Sequence, residues 1–336
     1  MISLPLSIVM ATAVALTSSV PLPASDNANG APIASELGRQ VLADNDGWAS
    51  ADGGTTGGAN AAPEDVHEVS TRDELAAAVA GNAPKIVYIK QDINANTTSD
   101  GSPITCEDYA ADGYSLDAYL AAFDPAHWTG PASGPLEVAR KASSANQGKQ
   151  IRINVGANTT IVGMGDVQLT GFTLNVDRVD NVIIRNLQLS DAYDCFPGWN
   201  GDTWKTEWDN LVVSGATHVW LDHLTLDDGA TVDAEQPKYF GEYFLRHDGL
   251  LDVVRQADLV TISWNRMIGH DKSLLWGNGD GVTADRGRLR VTLHHNELVD
   301  LEQTGPPRPV RAGARLQQPV PGDQPGTLPV LLGRWR

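Results

Sequence analysis

The chain has 336 residues, 41% hydrophobic and 20% charged, and its 42 acidic against 24 basic side chains give a formal net charge of -18. That composition belongs to a globular chain of one large domain or two ordinary ones and excludes wholesale disorder. It also excludes a nucleic-acid partner, since a phosphate backbone demands Lys and Arg patches, whereas excess carboxylate suits hard, oxygen-loving cations.

Residues 1–25 read as an export signal and predict a secreted, extracellular protein. Ile8 to Leu16 is a short apolar run, followed by Pro23-Ala24-Ser25 where a signal peptidase could cut, although no Lys or Arg precedes the run. Past it, no apolar stretch approaches the roughly 20 residues of a spanning helix, so no membrane association is expected after export. The only two cysteines, Cys106 and Cys195, suit an oxidising compartment as one disulfide, with two buried free thiols as the alternative. Residues 26–66 are rich in Gly and Ala, and Gly53-Gly54-Thr55-Thr56-Gly57-Gly58 reads as loop with nothing to pack. Thr71-Arg72-Asp73-Glu74 has capping-box spacing and predicts a short helix over the apolar residues that follow. Lys85 to Lys90 predicts a strand. Residues 100–150 read as polar and irregular, with one helical turn over Asp117 to Phe123.

From 151 onward the pattern changes. Four segments share one β signature: Val182-Ile183-Ile184-Arg185-Asn186, Val219-Trp220-Leu221-Asp222-His223, Val260-Thr261-Ile262-Ser263-Trp264 and Val291-Thr292-Leu293-His294-His295. Their starts lie 31 to 41 residues apart, a spacing of stacked repeats. The high count of Gly (33) and Pro (19) with only 6% aromatics agrees with a turn-rich β protein. A unit recurring in one polarity with variable insertions fits a parallel β-helix better than a sandwich. The expected units are thus a signal at 1–25, a Gly/Ala-rich segment at 26–66, a β-helix at 67–303 and a distinct tail at 304–336.

Three aspartates stand where stacked coils would bring their loops together. Asp209 precedes a strand, and Asp248-Gly249-Leu250-Leu251-Asp252 puts two carboxylates four apart around a turn. An all-oxygen set of this kind suits calcium rather than zinc, although solvated turn aspartates share the same spacing. In His270-Asp271-Lys272 the lysine is either one half of a surface ion pair or a cation held beside a metal to meet an anionic substrate. The pair His294-His295 reads as structural, because neighbours on a strand face opposite ways and one of them would stack inside near Asn296.

Taken in order, the strings at 53–58, Asn158 to Gly165, 219–223, 248–252, Val260 to Asn265, 270–272 and Val291 to Asn296 resemble the pectate lyases of polysaccharide lyase family 1 over roughly 48–303. The resemblance implies a right-handed parallel β-helix that cleaves polygalacturonate (pectate) by calcium-dependent β-elimination, and a monomer is expected. It further implies that Asp209, Asp248 and Asp252 bind calcium and that Lys272 binds the substrate carboxylate. Two other readings share this fold: a pectin lyase acting on methylated polymer, and a noncatalytic polysaccharide-binding β-helix.

One departure stands out. The family's base is an arginine in a pattern R-x-P-x-x-R soon after the His-His-Asn segment, and here position 304 is Thr304, with Arg308 and Arg311 out of register. Residues 304–336 hold seven prolines, five arginines and one acid, Asp323. Reading plausible codons one base later from Thr304 gives RAPRVRFGQVHVYNN, a family-like string, and so predicts a frameshift near codon 303 and a β-helix truncated at its C-terminal end, with a divergent natural tail as the alternative.

Overall fold

The computed structural model describes residues 36–111, 113–279 and 281–301, with the backbone of two further strands, Arg315–Gln317 and Val330–Gly333. The expected export signal and position 304 lie outside the described residues.

The chain winds as a right-handed parallel β-helix whose coils present three faces. The first face stacks Val66–Val69, Lys85–Ile89, Thr159–Gly163, the first half of Asp180–Ser190, the first half of Thr217–Asp227, Asp258–Ser263 and Val291–His294, all parallel. The second face continues round a corner through Gln168–Thr170, the second halves of the two long strands, Arg266–His270 and Glu297–Leu301. The third is a sheet of Arg152–Asn154, Thr173–Asp177, Leu211–Ser214, Gly249–Val254 and Lys272–Trp276. Val330–Gly333 joins Val291–His294 antiparallel, so parallel stacking on the first face stops there.

The alternating residues of the four repeats are what set this register. Val182, Val219, Val260 and Val291 lie one above another, as do Ile184, Leu221, Ile262 and Leu293. On the third face Leu174, Leu211, Leu251 and Leu274 form a matching column. Most of these side chains are fully buried, each stabilising the coil by roughly 1.5–3 kcal/mol. A slip of one residue would turn every column to the solvent.

At the corner between the first two faces Asn186, His223, Trp264 and His295 all take left-handed backbone, with φ of 55°, 51°, 58° and 53°. His223, Trp264 and His295 stack ring on ring, the last two with centroids 4.2 Å apart. Behind them Asn265 Nδ2 donates to Leu221 O and Asn296 Oδ1, both at 3.0 Å, while its Oδ1 accepts from Leu224 N at 2.8 Å. This placement corrects the expectation for His294-His295. The left-handed kink interrupts strand alternation, so Asn296 takes the inside position and His295 joins the surface stack. His294 is buried on the outer side of the first face, 3.1 Å from Asp46.

Two further expectations are corrected. The glycine-dense loop is packed, not idle: Thr55, Gly57 and Gly58 are buried against the outer side of the first face. A Cβ on Gly58 would lie 1.9 Å from Lys85 O, and one on Gly57 would lie 2.3 Å from Thr160 Oγ1, so glycine is what permits this approach. Residues 100–150 contain more helix than expected. Cys106–Tyr109 and Leu116–Ala122 precede a 17-residue helix, Pro135–Ile151. The longest escaped the pattern reading because its buried side consists largely of Arg140, Ser143, Ser144, Gln147 and Gly148. Arg140 is held there by Glu137, at 2.8 and 2.9 Å, and by Phe196 O. The helices pack on an aromatic cluster that includes Tyr119, Phe196 and Trp204. Cys106 and Cys195 form a disulfide with an S–S distance of 2.04 Å, closing this insertion onto the coils. No helix among the described residues is long and apolar enough to cross a membrane.

Candidate active site

The long connections between the second and third faces, residues 191–210 and 228–248, leave the β-helix on one edge, and the short turn at Asp271 leaves it on the same edge one coil further on. Asp209 therefore stands at the entrance of one third-face strand, Asp248 at the entrance of the next, and Lys272 at the start of the third. Register fixes the alignment: Gly249 pairs with Lys272, and Leu251 with Leu211, which sets Asp209 beside Gly249. Asp252 lies within the strand on its outer side, so the two carboxylates of 248–252 are separated by strand and not by the expected turn.

Gly249 is the pivot. Its amide donates to Asp209 Oδ1 at 2.5 Å. A Cβ here would fall 2.6 Å from Asp252 Oδ1 and 2.8 Å from Asp209 Oδ1, so the absent side chain is the space in which the two carboxylates approach each other. Burial pushes the Asp209 carboxyl well above the usual carboxylate range, and the charges of Asp252 and Asp248 push it further, against the Gly249 amide and Lys272. Asp252 is raised as well, by burial and then by Asp248, while the Leu275 amide and Lys272 act against the rise. Asp252 Oδ1 is buried without a hydrogen-bond partner.

Lys272 does not pair with its neighbour in sequence. Its Nζ donates to Asp248 Oδ1 at 2.7 Å and to Thr206 Oγ1 at 3.2 Å, with 30% of its side chain exposed. Asp248 is thereby engaged by a protein cation, and among the described residues no group of three or more His, Cys, Asp or Glu stands in metal-ligating geometry. The donor chemistry nevertheless suits a hard cation: two crowded, poorly compensated carboxylates share a space that any Cβ would fill, with a third beside them.

The chain is similar to known proteins over most of its length. The family model described as pectate lyase matches residues 33–118 and 132–314, which include all four site residues. A pectate lyase of Bacillus subtilis (strain 168) is 40% identical over 283 residues, spanning 81% of this chain and 67% of that protein. Pectate lyase E of Dickeya dadantii (strain 3937) is 36% identical over 273 residues, spanning 80% of this chain and 57% of that one.

The chain belongs to the pectate lyase family.

Solved pectate lyase structures superpose on it: one bound to a hexasaccharide gives a TM-score of 0.78 at 40% identity, covering 80% of this chain and 70% of the other. The enzyme from Acidovorax avenae subsp citrulli gives 0.73 at 32% identity, covering 79% and 66%. The chain thus spans about two thirds of the length of the Bacillus subtilis relative and 57% of the Dickeya dadantii one.

Under these carboxylates lies a buried layer that sequence reading missed. His270, 3% exposed, faces Asp228 Oδ1 at 2.5 Å with Nδ1 and Asp248 O at 2.6 Å with Nε2. His247 approaches Asp191 Oδ1 at 3.2 Å and Asp233 Oδ1 at 3.4 Å, the second a charge contact rather than an aligned hydrogen bond. Burial opposes charge on His247, yet Asp191, Asp233 and Asp228 outweigh it and carry the imidazole up to about 9. This layer anchors the Asp248 backbone from below. A histidine directly before Asp248 and another two residues before Lys272 were the available signals, but their acidic partners sit in distant loops.

Proposed function

We propose that this chain is a secreted, monomeric pectate lyase module that binds polygalacturonate and cleaves it by calcium-dependent β-elimination, giving 4,5-unsaturated oligogalacturonides. The convergence of Asp209 and Asp252 on the space above Gly249, beside Asp248 and Lys272, carries the reading. Pectate lyases are what the chain resembles over most of its length, and the substrate their name states is a polyuronate. Asp209, Asp248 and Asp252 would hold calcium, which when bound supplies positive charge to a uronate carboxylate.

The protein's own residues account for the rest. Abstracting the proton α to a carboxylate builds charge on a group that is already anionic, so a fixed cation beside that carboxylate lowers the barrier. Lys272 is that cation, held at the site edge by Asp248 and Thr206 and exposed enough to reach a ligand. His270 fixes the Asp248 carbonyl, and so the loop that presents the carboxylate. An uncompensated acidic site would repel a polyanion, which makes the cations part of binding as well as of chemistry.

The base is the open term. Thr304 stands where the resemblance places an arginine, and a frameshift near codon 303 accounts for that residue together with the proline- and arginine-rich tail. The chain as written is then nearly inactive and the frame-restored chain active; a noncatalytic polysaccharide binder is the second reading, favoured by Thr304. The deciding assay follows unsaturated uronate absorbance on pectate with calcium, with chelator, and on methylated pectin, for both frames. Calcium-dependent activity on pectate in the restored frame supports the lyase; binding without product in both frames supports the binder. An undisturbed gene frame at codon 303 removes the frameshift.

A further inference from the structure

The outer side of the third face carries a second feature, of opposite sign to the protein as a whole. A cleft of about 410 Å³ opens beside the first strand of this sheet, lined among others by Lys141, Lys149, Arg152 and Asn154, with Glu207 as its one acid. Lys141, Ala145 and Lys149 recur four apart on one side of the helix Pro135–Ile151, and Arg152 follows in the strand it leads into. In a chain of net charge -18, three cations against one acid in a single cleft is a local reversal of charge.

These cations are available to a ligand. Lys141, its side chain 66% exposed, lies 3.6 Å from Glu137, whose carboxylate is already bound by Arg140 through both oxygens. Among the described residues Lys149 Nζ meets the neutral Asn146 Oδ1, at 3.1 Å, and no carboxylate. The Arg152 guanidinium stacks over the Trp208 ring at 5.0 Å and has no carboxylate partner among the described residues. A guanidinium is the group that grips a carboxylate through two parallel hydrogen bonds.

The cleft is built on the same scaffold as the carboxylate site. Trp208 is buried, its Nε1 donates to Gln147 Oε1 at 3.2 Å, and it packs so closely on Gly148 that a Cβ there would lie 2.6 Å from the ring. Its carbonyl accepts from Asp248 N, at 3.3 Å, and Asp209 is the next residue. Outward-facing Asn154, Asn175, Val212 and Asp252 share one register row across the sheet, with Asn175 Nδ2 donating to Asn154 Oδ1 at 2.7 Å. A largely polar track therefore runs from the cleft to Asp252, over three inter-strand steps of about 4.8 Å, or roughly 14 Å, the length of a short run of sugar units.

We propose that Lys141, Lys149 and Arg152 form a distal subsite for uronate carboxylates, which makes the protein select long, unesterified stretches of polymer. The subsite rests on the polygalacturonate reading above and adds to it a preference for chain length and charge. It needs no metal, because its cations are side chains.

The test is calcium-free affinity electrophoresis of the full chain in gels containing polygalacturonate or fully methyl-esterified pectin. It is repeated with calcium and with trigalacturonate as competitor. The triple variant Lys141→Ala, Lys149→Ala, Arg152→Ala is expected to lose about tenfold in calcium-free affinity for polygalacturonate, with a flatter salt dependence and no change in competition by trigalacturonate in calcium. Charge reversal by Lys141→Glu and Lys149→Glu, both at exposed positions, must act in the same direction, and Arg152→Lys must restore only part of the loss. Unchanged retardation in either multiple variant, with folding verified by circular dichroism, overturns the subsite and leaves the lyase reading intact. No retardation of the parent with or without calcium overturns both.

Discussion

Replacing Gly249 with alanine tests the core of the site with one methyl group. Gly249 needs no special backbone conformation, since it is absent from the positive-φ positions, so the strand itself tolerates alanine. The added Cβ meets Asp252 Oδ1 at 2.6 Å and Asp209 Oδ1 at 2.8 Å, both inside the closest approach that real Cβ atoms show. One of the carboxylates must turn away, and overpacking of this kind costs roughly 1–3 kcal/mol. If that cost falls on the ligand geometry, calcium affinity drops by about fivefold to 150-fold. Because both displaced carboxyls are raised first by burial, and Asp209 next by the charge of Asp252, separating them offsets part of the strain in the metal-free protein. The calcium-free protein then loses less than the calcium-bound one. Calcium titrations by calorimetry, with melting curves in calcium and in chelator, read both quantities. Equal calcium affinity in Gly249→Ala and parent would refute the assignment of this space to the cation.

Other expectations follow from the same geometry. Asp252 is raised to about 7 and Asp209 in the same direction, so the folded state binds protons more tightly than the unfolded one. In chelator, stability must fall as pH rises from about 4 to about 7, and melting curves in calcium must flatten that fall. Asp194, raised to about 7 by burial, adds a decline in the same window that calcium does not relieve. Opening the Cys106–Cys195 link by paired Cys→Ala changes frees a loop spanning 89 residues, a loss of about 4–5 kcal/mol in the chain-entropy account, read by denaturant titration. Asn265→Ala removes the side chain that satisfies Leu224 N and Leu221 O in the interior. That change costs about 3 kcal/mol in the same titration, and a loss below about 1 kcal/mol would show the ladder to be dispensable.

What the sequence determined alone is the coil. Valine and leucine at alternate positions in the segments starting at 182, 219, 260 and 291 dictate which side faces inward, a property local to each strand, and stacking them leaves little choice of register. The capping box at Thr71 and Glu74 is equally local, and it forms as read. Asp209, Asp248, Asp252 and Lys272 were also legible as candidates, since Asp209, Asp248 and Lys272 flank or begin a recognisable strand and Asp252 lies four residues after Asp248.

Their meaning came from tertiary structure. Lys272 belongs with Asp248, 24 residues away, and not with adjacent Asp271, because inter-strand register outweighs sequence proximity. His247 and His270 find Asp191, Asp228 and Asp233 only after loops of unequal length fold back on one edge. The helix at 135–151 and the packed glycines at 57–58 escaped for a related reason. One buries polar groups satisfied by distant partners and the other buries backbone, and neither leaves an apolar period to read. Hydrophobic alternation encodes a coil; long-range closure of polar loops decides what the coil can hold.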